Sequence, residues 1–306
     1  RTGAVMNPMI CAWPGHEPLA AALAARVHGE IAPVALRRFP DGETYVRLMT
    51  LPKDRDVILV CGLEQPDEKV CGLLFAADAA RECGARRVGL VAPYLAYMRE
   101  DARFNAGEAI TSRTFAGWLA RAIDWLVTMD PHLHRYRALD EIYPIPTAIA
   151  SSATPIARWI AENVAQPLIM GPDEESAQWA AAIAQRVGCP WIVLRKDRRG
   201  DRDVAVSVPD ITAWPGRTPV LVDDIVSTAR TMAAAAHRLR ELGAAPPVCI
   251  GVHALFCGDA LPTLRAASPG VIATCNTIRH ETNAIDVTSE IAQAAADLHA
   301  RVQTAL

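Results

Sequence analysis

Short apolar runs recur along the chain, separated by Ala- and Leu-rich stretches with helical spacing. In the first half, residues 9–12, 57–61, 87–92 and 125–129 have the length and bounds of buried strands. Residues 18–28, 67–83 and 110–123 read as helices between them, and Gly84 supplies a stop after the second. Residues 34–39 and 44–49 alternate around Pro40-Asp41-Gly42-Glu43, which predicts a hairpin. Residues 93–109 read as a long polar loop carrying Tyr94, Tyr97 and Phe104. Residues 143–146 read as a crossing segment.

The second half repeats the alternation. Helices are expected over 154–162, 174–187, 232–242, 261–266 and 289–303. Strands are expected over 168–170, 191–194, 204–206, 248–252 and 271–275. Another is expected from Val220 to the pair Asp223-Asp224, where its apolar run ends. Residues 195–203 form a charged loop. Strands alternating with helices predict an α/β fold of mainly parallel sheets with helices on both faces. A helix ending in Cys83-Gly84-Ala85 feeds strand 88–92, and one ending in Leu242-Gly243-Ala244 feeds strand 248–252. That echo suggests a duplicated domain. The expected division is a first domain over 1–148, joined by the C-terminal helix 289–306, and a second over 149–288.

Composition narrows the class. The chain has 306 residues, 51% hydrophobic and 21% charged, which suits two globular domains and not a disordered chain. A net charge of −3 favours neither nucleic acid nor an acidic membrane. No apolar stretch approaches the roughly 20 residues that span a bilayer. The eight cysteines form no C-x-x-C pair and lie mostly in apolar runs, as free thiols in a reducing cytoplasm would. Residues 1–7 show no signal-peptide pattern, and Met6 is a candidate native start.

The candidate chemistry centres on residues 220–232. An apolar strand runs into Asp223-Asp224, then a small hydroxyl-rich loop, then an Ala-rich helix. A helix start offers N–H groups and partial positive charge to an anion, and Ser227, Thr228 and Thr231 add hydroxyl donors. The carboxylates suit ribose hydroxyls or a Mg²⁺ shell. An acidic strand end with a Ser/Thr N-cap is the plain alternative. No Walker-type or dinucleotide glycine motif occurs. Asp130-Pro131-His132-Leu133-His134 reads either as a Mg²⁺ position shared with phosphate oxygens or as a capping Asp with a surface His pair; zinc would want more ligands. The run Arg195 to Asp203 reads as a solvated hairpin tip or as a lid bringing Lys196 and Arg198 onto a phosphate. The arginines and aromatics of 93–104 suit base stacking, phosphate binding or an interface.

Together these stretches resemble ribose-phosphate diphosphokinase, the family that makes phosphoribosyl diphosphate (PRPP), over nearly the whole chain. Residues 220–232 resemble its PRPP-binding motif, and Phe39-Pro40-Asp41-Gly42-Glu43 its adenine-binding loop. Residues 93–103 resemble its nucleotide-site stretch, Asp130 and His132 its Asp-Leu-His segment, Gly171-Pro172-Asp173 its Ser-Pro-Asp, and Lys196 and Arg198 its catalytic Lys-x-Arg. Residues 104–110 and 200–203 look like the archaeal-type class, which prefers ATP and lacks the allosteric control of the main class.

The resemblance implies two tandem phosphoribosyltransferase-like domains and transfer of diphosphate from ATP to the 1-hydroxyl of ribose 5-phosphate. It implies Lys196 and Arg198 as catalytic; Phe39, Asp41, Glu43, Arg99, Glu100, Asp101 and His132 on ATP; and Asp223, Asp224, Ser227, Thr228, Ala229, Arg230 and Thr231 on ribose 5-phosphate. It implies Mg²⁺ near His132 and Asp173, and a cytoplasmic homo-oligomer, dimer or higher. Glu100 stands where the family has Gln, and Ala229-Arg230 where it often has Gly-Gly. The rival readings are a phosphoribosyltransferase that uses PRPP and a catalytically silent regulatory subunit.

Overall fold

The computed structural model describes residues 6–172, 176–198, 204–207, 211 and 213–304, with 195–198 and 204–207 described as backbone. The chain divides into two compact units, Arg1–Ser151 with Thr288–Leu306, and Ser152–Val287. Among the described residues, no helix is long and apolar enough to cross a membrane.

The first unit runs β1 (Met9–Ala12), α1 (Glu17–Val27), β2 (Glu30–Ile31), β3 (Val34–Arg38), β4 (Thr44–Leu48), β5 (Asp56–Val60), α2 (Pro66–Glu82), β6 (Arg87–Ala92), α3 (Thr111–Ala122), β7 (Trp125–Met129) and β8 (Thr147–Ala150). Its sheet has the order β2-β1-β5-β6-β7-β8, with parallel pairing throughout. Strands β5 and β7 are buried along their whole length, as parallel strands covered on both faces are. Gly89 on β6 makes room for Trp125 on β7, since a Cβ there would lie 2.0 Å from the indole. Strands β3 and β4 form a separate antiparallel hairpin. Its tip closes because Gly42 adopts φ +94 and the Glu43 N–H donates to Asp41 Oδ1 at 3.1 Å. The hairpin packs on α2 at Gly72, where Leu36, Thr44 and Val46 approach closely.

The second unit runs α4 (Ala153–Asn163), β9 (Pro167–Gly171), α5 (Ala177–Val187), β10 (Trp191–Val193), β11 (Arg195–Arg198), β12 (Val204–Ser207), β13 (Thr218–Val226), α6 (Arg230–Glu241), β14 (Val248–Ala254), α7 (Ala260–Ala266), β15 (Val271–Cys275) and β16 (Asn283–Ile285). Its sheet is also parallel, in the order β10-β9-β13-β14-β15-β16. The two sheets have one topology. In each unit the second connection between sheet strands carries an antiparallel hairpin, β3–β4 between β2 and β5 and β11–β12 between β10 and β13. The covering helix is supplied crosswise along the chain. Helix α4 follows β8 and packs on α5, while α8 (Thr288–Thr304) follows β16 and packs on α1, β7 and β8.

Buried Asp56 on β5 anchors α8. His299 Nε2 lies 3.0 Å from Asp56 Oδ2, and Gln303 Nε2 donates to the same oxygen at 3.1 Å. Arg86 and Arg87 stand 3.4 and 3.7 Å from Oδ1.

Several expectations change. The strand expected to end at Asp223-Asp224 continues through both to Val226, because its neighbour β14 pairs with it out to Ala254. Helix α6 begins at Arg230, two residues before the expected start. Arg195 to Arg198, expected in a loop, pairs as a strand with Val204–Ser207. The loop after β6 is not uniformly polar: Tyr94, Leu95 and Met98 are buried. Strands β2, β8 and β16 lack a readable apolar run. They are short edge strands whose conformation is set by one neighbour's hydrogen bonds.

Candidate active site

At the centre of the second sheet, β13 carries Asp223 and Asp224, both half-buried, toward its carboxyl end. Ligands in parallel sheets bind beyond such ends. The Asp224 N–H donates to Asp223 Oδ1 at 3.0 Å, orienting that carboxylate. Opposite it, Gly251 leaves room for Val226, whose Cγ2 would lie 2.4 Å from a Cβ. Ser227 and exposed Thr228 follow, and buried Ala229 turns the chain into α6. Ala229 has φ 57, the left-handed conformation that favours glycine. Among the described residues, no side chain caps α6. Its first N–H groups have no intrahelical partner and carry the positive end of the helix dipole. Arg230 is exposed and Thr231 half-buried in that first turn. One strand, loop and helix start thus bring together Asp223, Asp224, Ser227, Thr228, Ala229, Arg230 and Thr231. The set pairs carboxylate acceptors with an anion-favouring helix end.

The matching turn of the first unit, between β5 and α2, is filled by its own side chains. His16 Nε2 accepts the Gly62 N–H at 2.8 Å. Lys69 Nζ donates to the Gly62 carbonyl at 2.8 Å and pairs with Glu64. Burial lowers the His16 pKa against the opposing pull of Glu64, which keeps the ring neutral, as an accepting nitrogen must be. Gln65 caps α2 with φ 51, as Ala229 does for α6. A Cβ at Gly62 would lie 2.6 Å from Glu64 Oε2 and 2.8 Å from His16 Cε1, so these side chains crowd the start of that turn.

The other candidate residues of the first unit fall in two groups. Phe39, Asp41 and Glu43 sit at the hairpin tip, all exposed. The Arg37 guanidinium stacks 4.7 Å from the Phe39 ring and 5.1 Å from that of Tyr45. Arg99, Glu100 and Asp101 follow β6, and His132 follows the adjacent β7. Arg99 and Glu100 are exposed, and the Glu100 carbonyl accepts the Ser112 N–H at 3.2 Å. Asp101 is buried and takes a 3.1 Å bond from Arg135, which also faces the Phe104 ring at 5.6 Å. Asp130 turns the chain at φ 32, and half-buried His132 lies 6.1 Å ring to ring from His134. Lys196 and Arg198 pair in register with Val206 and Val204 on the second unit's hairpin, the slot that β3–β4 occupies in the first. Asp173 lies outside the described residues.

The family model for the N-terminal domain of ribose phosphate pyrophosphokinase matches residues 9–122. A model for the phosphoribosyl transferase domain matches residues 138–288. A ribose-phosphate pyrophosphokinase of Methanopyrus kandleri is 33% identical over 281 residues, covering 90% of this chain and 94% of the relative. The chain belongs to the ribose-phosphate pyrophosphokinase family. Further members from Pyrococcus abyssi and Sulfolobus acidocaldarius are 31% and 32% identical, covering 86% and 83% of this chain and 90% and 89% of theirs. The fold of this family member is that of a solved phosphoribosylpyrophosphate synthetase from Mycobacterium smegmatis. The two superpose with a TM-score of 0.81 at 22% identity, covering 97% of this chain and 99% of the other.

Sequence reasoning did not single out Phe256 and Cys257. They abut the hydroxyl loop from the end of β14, and their position after a parallel strand was the one available signal.

Proposed function

We propose that the chain is a ribose-phosphate diphosphokinase, transferring diphosphate from ATP to the 1-hydroxyl of ribose 5-phosphate to give PRPP and AMP. The observation that carries this is the β13–α6 turn, in a chain 33% identical to a ribose-phosphate pyrophosphokinase over 90% of its length. The ribose hydroxyls are assigned to Asp223 and Asp224, which accept hydrogen bonds. The 5-phosphate is assigned to residues 227–231, whose N–H and O–H groups donate. ATP is assigned to Phe39, Asp41, Glu43, Arg99, Glu100, Asp101 and His132, the Phe39 ring stacking on adenine. Lys196 and Arg198 are assigned to the phosphate being transferred, where positive charge offsets the charge that develops in the transition state. Such a reaction is catalysed by positioning and electrostatics, and it needs no covalent protein nucleophile.

Mg²⁺ is the metal of this reading, with His132 and Asp173 beside it. Among the described residues no three His, Cys, Asp or Glu side chains converge into a cage. His132 and Asp173 would supply a small protein share to an ion held mainly by substrate phosphate oxygens, as Mg²⁺ characteristically is. When bound, Mg²⁺ neutralises phosphate charge. A homo-oligomer completes the reading, with the exposed Phe39 hairpin reaching a neighbouring subunit.

The test is AMP release from ATP and Mg²⁺, with and without ribose 5-phosphate. AMP is expected only with the sugar phosphate, together with an equal amount of PRPP. AMP release indifferent to the sugar phosphate would sink the reading. No release at all would favour the silent subunit.

A further inference from the structure

Where β14 ends, the chain turns at Phe256, whose φ of 39 lies in the left-handed region. A bulky residue holds that conformation only where its surroundings impose it. The surroundings are specific. The Phe256 ring stacks on His280, with centroids 4.5 Å apart and planes 19° from parallel. It belongs to the same hydrophobic cluster as Val226, Ala229 and Met232. His280 is itself fixed. Its Nδ1 lies 2.8 Å from Thr282 Oγ1, and its backbone N–H donates to Asn283 Oδ1 at 2.9 Å. Thr282 Oγ1 in turn lies 2.8 Å from Thr274 Oγ1 on β15.

This braced turn meets the hydroxyl loop at three points. The Phe256 N–H donates to the Val226 carbonyl at 2.9 Å, and the Cys257 N–H to the Ser227 carbonyl at 2.9 Å. Ser227 Oγ donates to Cys257 Sγ at 3.6 Å. Both carbonyls are thereby directed at the backbone of the Phe256-Cys257 turn. Sulfur is a weak acceptor, so it holds the Ser227 hydroxyl without competing strongly against a phosphate oxygen. The loop Ser227-Thr228-Ala229 contains no glycine to adapt its backbone, so its shape depends on these contacts.

We propose that Phe256 and Cys257, braced by His280, are positioning residues for ribose 5-phosphate: they set the direction in which Ser227 and Thr228 present their donors. The proposal rests on the assignment of residues 227–231 to the 5-phosphate. A site built from several short hydrogen bonds tolerates little displacement.

The test compares His280→Ala, His280→Phe and Ser227→Ala in steady-state kinetics of the full chain. His280→Ala should raise KM for ribose 5-phosphate about tenfold, by displacing the loop. It should leave kcat and KM for ATP within about twofold, and His280→Phe, which keeps the stack, should restore KM. KM unchanged in His280→Ala while Ser227→Ala raises it would overturn the brace and leave the loop assignment standing. KM unchanged in both would overturn the loop assignment and the proposal with it. A second measurement does not depend on those variants. In Cys71→Ser protein, which removes the other exposed thiol, ribose 5-phosphate at ten times its Kd should slow labelling of Cys257 by methyl methanethiosulfonate about tenfold. An unchanged labelling rate counts against the proposal.

Discussion

Ala229 concentrates the conflict between backbone and function. Its φ of 57 costs an L-residue about 1–2 kcal/mol relative to glycine. Replacing it with glycine would relieve that strain. It would also lose about 0.8 kcal/mol of buried methyl and incur about 0.5–1 kcal/mol of backbone entropy. These terms cancel, so Ala229→Gly should leave the urea midpoint nearly unchanged. Its effect should fall on binding: a backbone without Cβ approaches a phosphate more closely, and KM for ribose 5-phosphate should fall about threefold. A rise in KM would show that the methyl supports the loop. The residues of this turn were readable from sequence because they are contiguous: a strand, a hydroxyl loop and a helix start need only local pattern. Phe256, Cys257 and His280 were not, because they reach the loop through strand order and not through chain proximity.

Among the elements, α8 shows how one buried carboxylate joins a terminal helix to a sheet. Burial alone would raise the Asp56 pKa. The hydrogen bonds from His299 and Gln303 and the charge of Arg86 outweigh it and hold the carboxyl below its ordinary value of 3.8. The unfolded chain therefore takes up this proton more readily than the folded one. The stability it contributes is fully present above pH 3.8 and is lost as pH falls through the lower folded-state value. Asp56→Asn should lower the unfolding free energy at neutral pH by about 2–4 kcal/mol, since it leaves the facing cations without their carboxylate. In urea unfolding over a pH series, the gap between variant and parent should close in acid; a gap that stays constant would remove the electrostatic account. Strand ends show the limit of local pattern in the same way. The carboxylates of β13 looked like its end by polarity, yet pairing with β14 carries the strand on to Val226. Hydrogen bonding to a neighbour outweighs the polarity of two side chains half-open to water.

For the whole molecule, the repeated topology has a consequence for α8. It contributes Ile291, Ala292, Ala295, Leu298 and His299 to the first unit's core from the far end of the chain. Removing residues 288–306 should expose the face of β7, β8 and α1 that it covers. Hydrogen exchange should then speed up in β6, β7 and β8 by more than about tenfold and remain slow in β13, β14 and β15. Equal loss of protection in both units would show that they unfold as one. The α/β class, the alternation of strands and helices and the echo between the halves followed from sequence alone. Apolar runs, helical spacing and turn residues are local quantities, and a parallel sheet follows once helices separate the strands. Only the tertiary structure decided which duplicated turn stays open. Both sit at the same sheet position with a left-handed cap, but His16, Glu64 and Lys69 occupy the first, and in the second, among the described residues, no side chain caps the helix start. His16 lies 46 positions from the Gly62 N–H that it accepts, and strand pairing between β1 and β5 brings the two together.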